Sequence, residues 1–381
     1  MNYLIIGSGL MGSALAFDLS RSDGVSGITL ADIDIDRAER VAASIGSPLV
    51  KPKRVDVNDY DAIIELMNGH VCSIGAVSYR FNYALSKAAI EAGSHYLDLG
   101  GNDEVVARQM TLHDLALRND VLIVPNCGLA PGMANVIAAR AAEKFESVEN
   151  MRIRVGGLPR YPKPPLNYQL VFSVEGLINE YSGKSVTLRQ GRITEIETMT
   201  EIESIEFPPP FDKLEAFHTS GGASTLPAMF EGKVTNLDYK TIRYPGHCER
   251  FKTLLDLGFG SAEPITVGSN VMTAKELFYE MLKKRLSGDS PDVVLVRVEL
   301  EGTKNGTRKT LRYELIDSYD TNTNITAMMR TTSYPTSVIA QLIAHGSIVE
   351  RGVLPPEQCV PLDPFLAELR KRDINIKEQW L

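Results

Sequence analysis

Tyr3-Leu4-Ile5-Ile6-Gly7-Ser8-Gly9-Leu10-Met11-Gly12 opens the chain, with four apolar residues suited to a buried strand, then three glycines, then helical spacing over residues 13–19. Each glycine has a mechanical reason. Gly7 lets the chain turn tightly, Gly9 lets backbone approach a pyrophosphate, and Gly12 lets the helix lie close on the strand. The helix N-terminus then faces the phosphates. A second apolar run, residues 27–31, ends on Asp32, about 20 residues onward as the dinucleotide fingerprint expects. A carboxylate there accepts hydrogen bonds from an adenosine ribose diol and repels a 2′-phosphate, so NAD is expected rather than NADP. Leu10, Met11, Val77, Tyr79 and Gly128 complete the expected cofactor contacts. Arg37, a cation just past the second strand, could serve a 2′-phosphate, but is expected along the helix surface beside Asp34 or stacked on adenine.

At 381 residues the chain is long enough for two domains, each with its own core. A net charge of −8, with no basic run, argues against nucleic acid. Cys72, Cys127, Cys248 and Cys359 are scattered without metal-ligand spacing, so neither a metal site nor a disulfide framework is expected. The opening residues read as a core strand rather than a leader, and no apolar run approaches the roughly 20 residues of a membrane span. A cytoplasmic protein follows as the expectation.

The first third alternates short apolar runs with amphipathic stretches, the pattern of a Rossmann-type doubly wound parallel sheet in the α/β class. Further strands are expected at 49–55, 71–76, 95–99 and 121–125. Helices are expected at 80–92, closed by Gly93, and at 103–118. From about residue 151 β-branched runs and proline-rich loops mark a second, α+β domain with a mixed or antiparallel sheet. Its clearest element is a hairpin of residues 293–300 and 311–316, turning near Lys304-Asn305-Gly306. Helices at 336–345 and 364–371 are expected to return to the nucleotide domain. The domains are therefore drawn as 1–128 with 332–381, and 129–331.

Ligands of open parallel sheets bind beyond the carboxyl ends of the strands. Four segments qualify by position or glycine content: Ser78-Tyr79-Arg80-Phe81-Asn82, Asp98-Leu99-Gly100-Gly101-Asn102, Asn126 to Met133, and Lys240 to His247.

Several of these, with Val155-Gly156-Gly157-Leu158-Pro159, Phe172-Ser173-Val174-Glu175-Gly176, the loop from Phe217 to Thr225 and Arg351 to Gln358, resemble the saccharopine dehydrogenase-like family. The resemblance runs in order along the whole chain. It implies a Rossmann domain completed by the C-terminal segment, and an inserted domain that binds substrate and builds a homodimer or higher homo-oligomer. The chemistry implied is NAD-dependent oxidation of the side-chain amine of L-lysine: hydride leaves the ε-carbon, water adds to the imine and ammonia departs.

Such a reaction needs a cation for the α-carboxylate. Arg243 suits it, because guanidinium pairs bidentately with carboxylate, and the resemblance places Thr241 beside it. For proton transfer the family's reductases associate a lysine and an acid with the nicotinamide; Lys87 matches the lysine and His113 stands where the acid would be. Asp98 is a rival at a strand end that could hold an ammonium. Phe172, Glu175, His218 and Ser220 are further expected substrate contacts, and His247 is a weaker candidate. Saccharopine carries two additional carboxylates, yet the loop Phe217-His218-Thr219-Ser220-Gly221-Gly222-Ala223-Ser224, where the reductases present an Asn-Arg pair, has no Arg or Lys. That absence favours a primary amine. A saccharopine reductase or related amine or imine dehydrogenase, and a non-catalytic NAD-binding sensor, stay open as alternatives.

Overall fold

The computed structural model describes every residue except Asp289. Two compact units emerge, residues 1–144 with 329–376, and residues 145–328 with 377–381.

In the first unit seven parallel strands lie side by side in the order Gly352–Val353, Leu122–Val124, His95–Asp98, Cys72–Gly75, Asn2–Ile6, Gly27–Asp32 and Val50–Arg54. The order reverses beside the first strand, which makes its carboxyl end a topological switch point. Parallel neighbours cannot be joined by tight turns, so helices cross between them. One such helix, Asn82–Ala92, ends on Gly93 in the left-handed conformation, as the sequence implies. Leu4, Ile6, Ala31, Leu85, Ala88, Tyr96, Ile123 and Val353 form part of the resulting core.

The expected helix over 103–118 is two, Asp103–Met110 and His113–Arg118. The expected helix over 336–345 begins earlier, spanning Ala327–Ala344 with Pro335 inside it. Pro335 removes one intrahelical donor but does not end the helix. The unit also extends past residue 128, because the helix Met133–Ala142 is tied to the C-terminal segment: Arg140 donates to the carbonyls of Val360 and Gln358.

The second unit holds a nine-stranded mixed sheet. Its path runs Glu203–Phe207, Asp212–His218, Val234–Arg243, Ser147–Pro159, Asp292–Lys304, Thr307–Ser318 and Lys377–Trp380, with only Val234–Arg243 and Ser147–Pro159 parallel along it. The hairpin turns at Asn305 and Gly306, with φ of 52° and 67°, the paired positive angles of a two-residue turn. The last strand was expected with the nucleotide domain; its backbone pairs instead with Thr307–Ser318, so the final five residues belong to the second unit. Among the described residues no helix is long and apolar enough to cross a membrane.

The C-terminal segment is fastened to the first unit by a buried ion pair. Arg372 Nε lies 2.7 Å from Asp18 Oδ1, both side chains at most 10 % exposed, and the Ser337 hydroxyl also donates to Asp18. Removing one partner of a buried pair strands the other charge. Arg372→Met should therefore lower the unfolding free energy by about 3 kcal/mol or more in urea titrations. Adding Asp18→Asn to it should recover part of the loss.

Candidate functional site

The first unit's glycine turn has the form its sequence implies. Gly7 has φ of 107°, and a Cβ on Gly12 would collide with the Gly7 carbonyl oxygen, so strand and helix approach more closely than side chains would permit. Around Gly9 a Cβ would meet nothing, leaving space above the first turn of the helix Leu10–Leu19. That turn has no acidic residue and no side-chain cap. A diphosphate fits this cradle.

Asp32, at the end of the second strand, is buried and heavily engaged. Its carboxylate accepts from the Ser8 amide and hydroxyl, both at 2.7 Å, from the Asp34 amide at 2.9 Å, and from Arg37 Nη2 at 2.7 and 2.9 Å. Burial works against ionisation, but these donors outweigh it and hold the carboxyl below the usual aspartate range. Arg37 thus lies neither along the helix nor free for adenine: it sits on Asp32, drawn there by the carboxylate five residues earlier. A ribose diol reaching Asp32 would take the place of the guanidinium.

The segments after the strands converge. Val77 lies over Gly7, Tyr79 packs on Gly101, and Gly128 approaches the Leu99 carbonyl and Thr332. Asp98 holds the glycine loops together, accepting from the amides of Gly100 and Asn126 and from Gln109 Nε2. It is completely buried, and burial pushes its carboxyl up despite those bonds. Lys87 and His113 are not brought together by their contacts. Lys87 is exposed, 3.7 Å from Glu91 and over the Tyr60 ring. His113 Nδ1 meets the backbone of Val353 in the edge strand Gly352–Val353.

In the second unit alternation decides which residues share a surface. Along Val234–Arg243 the side chains of Tyr239, Thr241 and Arg243 fall on one face and those of Asp238, Lys240 and Ile242 on the other. Thr219 joins the first face through a 2.8 Å hydrogen bond between its hydroxyl and that of Thr241. Arg243 is 2 % exposed: its Nε donates to the Tyr181 hydroxyl at 2.7 Å, its Nη1 to the Ile242 carbonyl, and its guanidinium lies over the Tyr168 ring. Glu180 Oε2 stands 3.7 Å from Arg243 Nη2. Burial pushes the Glu180 carboxyl up to about 7, opposed by Arg243. His247 closes the cluster, its Nε2 3.0 Å from the Tyr181 hydroxyl and its Nδ1 2.8 Å from the Leu166 carbonyl.

His218 departs from expectation. It is one residue out of phase with Phe217 and Thr219, so it faces away from Arg243 and meets Glu201 at 3.1 Å. Lys240, beside it, is held by the Glu201 carbonyl and Glu203. Glu175 is exposed in the first turn of the helix Val174–Tyr181, and Phe172 packs against the aromatic core beside it. Ser220 supports the end of that helix, its hydroxyl donating to the Asn179 carbonyl and its amide to that of Glu180. Glu180, Tyr168, Tyr181, Thr219 and Tyr239 were missed. The period-2 spacing of Tyr239, Thr241 and Arg243 was the available signal; for Glu180 there was none. Among the described residues no group of three or more His, Cys, Asp or Glu could hold a metal ion.

A switch-point sheet, a glycine cradle and an acid ending the second strand define a dinucleotide-binding domain. Residues 3–124 match the saccharopine dehydrogenase NADP binding domain and residues 128–374 the saccharopine dehydrogenase C-terminal domain, and the chain belongs to the saccharopine dehydrogenase family. It is similar to saccharopine dehydrogenase [NADP(+), L-glutamate-forming] of Pyricularia oryzae, 21 % identical over 99 % of this chain and 98 % of that one. It is also similar to carboxyaminopropylagmatine dehydrogenase of Synechocystis sp., 22 % identical over 96 % and 94 %. Among solved structures, apo saccharopine dehydrogenase (L-Glu forming) from Saccharomyces cerevisiae shares the fold with a TM-score of 0.82 at 18 % identity, covering 100 % of this chain and 99 % of that one. Homospermidine synthase from Legionella pneumophila, in complex with NAD, shares it with a TM-score of 0.70 at 13 % identity, covering 100 % and 91 %.

Burial, with Arg243 adding to it, lowers the His247 imidazole to about 3. The unfolded chain therefore takes up a proton below about pH 6.5 that the folded one refuses, so this group makes stability fall with acid. His247→Gln should flatten the decline between pH 6.5 and 5, by up to about 1.4 kcal/mol per pH unit in urea titrations.

Proposed function

We propose that the protein carries out NAD-dependent oxidative deamination of the side-chain amine of L-lysine, the activity of a lysine 6-dehydrogenase. The product is 2-aminoadipate 6-semialdehyde, which cyclises to 1-piperideine 6-carboxylate; ammonia and NADH are released. Bound NAD supplies the hydride acceptor. Gly7, Gly9 and Gly12 shape the cradle for its diphosphate, and Asp32 is the group for its adenosine ribose.

One observation supports this reading above the others. Arg243 offers a desolvated guanidinium for an α-carboxylate, with Thr241 on the same face, while the loop bordering it brings no cation. The basic residues flanking in sequence, His218 and Lys240, face the opposite side and already have carboxylate partners, and burial lowers the His218 imidazole below its usual range. Saccharopine would bring two further carboxylates, and leaving those without partners is costly. This weighs against the secondary-amine substrate that the name of the Pyricularia relative carries, and for a primary amine. The proposal includes a homodimer or higher homo-oligomer in the cytoplasm. It assigns Asp98 to holding the glycine loops and His113 to holding the strand Gly352–Val353 in place, on the bonds they make.

L-lysine should be oxidised with a specificity constant above those of ornithine and saccharopine, followed by NADH absorbance. Ornithine has one methylene fewer between its carboxylate and its amine, so a site fitted to lysine would serve it less well. A preference for saccharopine would overturn the assignment, and no turnover with any amine would favour a sensor. The rate should also rise toward alkaline pH, because the ε-nitrogen, with a reference pKa of about 10.4, must lose its proton before the imine forms.

The cofactor has a separate test. NADH should bind more tightly than NADPH in fluorescence titrations, and Arg37→Ala should widen the gap, because Asp32 then presents its charge to the 2′-phosphate unneutralised. Tighter NADPH binding by the unaltered protein would refute the NAD assignment.

A further inference from the structure

Three polar groups around Arg243 have unmet requirements. The Tyr168 hydroxyl is buried and has no hydrogen-bond partner among the described residues. Arg243 Nη2 reaches Glu180 only at 3.7 Å, beyond hydrogen-bond distance, although Nε and Nη1 have close acceptors. Glu180 itself sits in the last turn of the helix Val174–Tyr181, where the helix dipole disfavours a negative charge, and no hydrogen bond to its carboxylate is found among the described residues. Its position is nonetheless fixed, because Ser220 bonds the carbonyls of Asn179 and Glu180.

An acceptor-rich anion would satisfy Arg243 Nη2 and Tyr168, and a cation beside it would satisfy Glu180. An α-amino acid carries those two charges on two groups bonded to one carbon. A lone diamine has no carboxylate, and lysine's ε-nitrogen lies four methylenes beyond the α-carbon, so it would reach a group 3.7 Å from the same guanidinium only by folding the chain back on itself.

We propose that Glu180 is the specificity-determining residue that holds the α-ammonium of the substrate while Arg243 and Tyr168 hold its α-carboxylate, so that this face recognises an α-amino acid zwitterion and leaves the reacting amine outside the clamp. This rests on the reading of Arg243 given under the proposed function and deepens it. It also removes Glu180 from consideration as the base for the ε-nitrogen.

The ionisation of Glu180 supports the geometry. Arg243 from its sheet strand, Tyr239 from the same strand, Tyr168 from the preceding loop and Tyr181 from its own helix all face it, with His247 behind Tyr181. Burial raises its carboxyl to about 7, whereas a bound ammonium would favour the ionised form. Lysine affinity should therefore strengthen as pH rises through 7.

The test compares L-lysine with 6-aminohexanoate, which keeps the carboxylate and the reacting amine but lacks the α-amino group. With NAD present, Glu180→Gln should lower kcat/KM for lysine by roughly 10- to 100-fold, the scale of one charge-assisted hydrogen bond. It should leave 6-aminohexanoate within about 3-fold, so that discrimination between the two collapses. Calorimetric titration of lysine into the protein should show the rise in affinity through pH 7, absent in Glu180→Gln and partly restored in Glu180→Asp. An unchanged ratio between the two substrates in Glu180→Gln, or equal losses for both, would overturn the clamp while leaving lysine oxidation intact. If the unaltered protein oxidises neither compound, the proposed function fails and the calorimetric arm alone decides. Lysine binding that depends on Glu180 would then still support the clamp, and binding indifferent to Glu180 would overturn it. Should Glu180→Gln not fold, Glu180→Asp with Ser220→Ala gives the same comparison, the first shortening the carboxylate and the second loosening the helix end that places it.

Discussion

The contact between Gly7 and Gly12 sets the geometry of the first unit. A strand leading into a helix after only a few residues must bring helix backbone against the turn, and a Cβ at Gly12 would occupy the position of the Gly7 carbonyl oxygen. With glycine there, the helix Leu10–Leu19 starts directly above the first strand, with its N-terminus at the switch point where the strand order reverses. The other crossover helices then follow from the need of parallel strands to be joined at opposite ends. The loops after the first, fourth, fifth and sixth strands consequently gather at one edge of the sheet.

Burial of charge organises what those loops and the second sheet do. Asp98 lies inside the first unit with donors from Gly100, Asn126 and Gln109, and Asp32 lies beneath Arg37 with further donors from Ser8 and Asp34. Such carboxylates are tolerated because every oxygen has partners, and in return they fix the loops that donate to them. The Arg243 cluster differs. Its guanidinium is equally buried, but an orphaned tyrosine hydroxyl and a loosely held carboxylate stand against it, an arrangement a folded chain keeps stable only at some cost.

The two faces of the strand Val234–Arg243 show how sheet geometry separates functions that are adjacent in sequence. Lys240 and Asp238 pair with Glu203 and Arg154 on one side, a closed network of ion pairs. Tyr239, Thr241 and Arg243 point to the other, toward the helix that carries Glu180 and Tyr181. His218 follows Lys240 by register and so leaves the Arg243 face. A loop rich in candidate ligands thus contributes Thr219 but not its histidine.

Local pattern was enough for the elements that depend on neighbours along the chain. The glycine turn, the alternation of strand and helix, the Gly93 cap and the Asn305-Gly306 hairpin all rest on backbone angles and periodicities confined to a few residues, and each could be read from residue order. So could Arg243 and Asp32 as charged groups worth attention. What those groups touch was decided only in three dimensions. Arg37 came to rest on Asp32 and not on the helix surface, the last five residues joined the second sheet, and Asp98, Lys87 and His113 found separate partners. Glu180 was silent in the sequence because a glutamate at the end of an amphipathic helix is ordinary there. It acquires meaning only when folding sets it against a guanidinium more than sixty residues away, since desolvation and charge pairing depend on what surrounds a side chain, not on what precedes it.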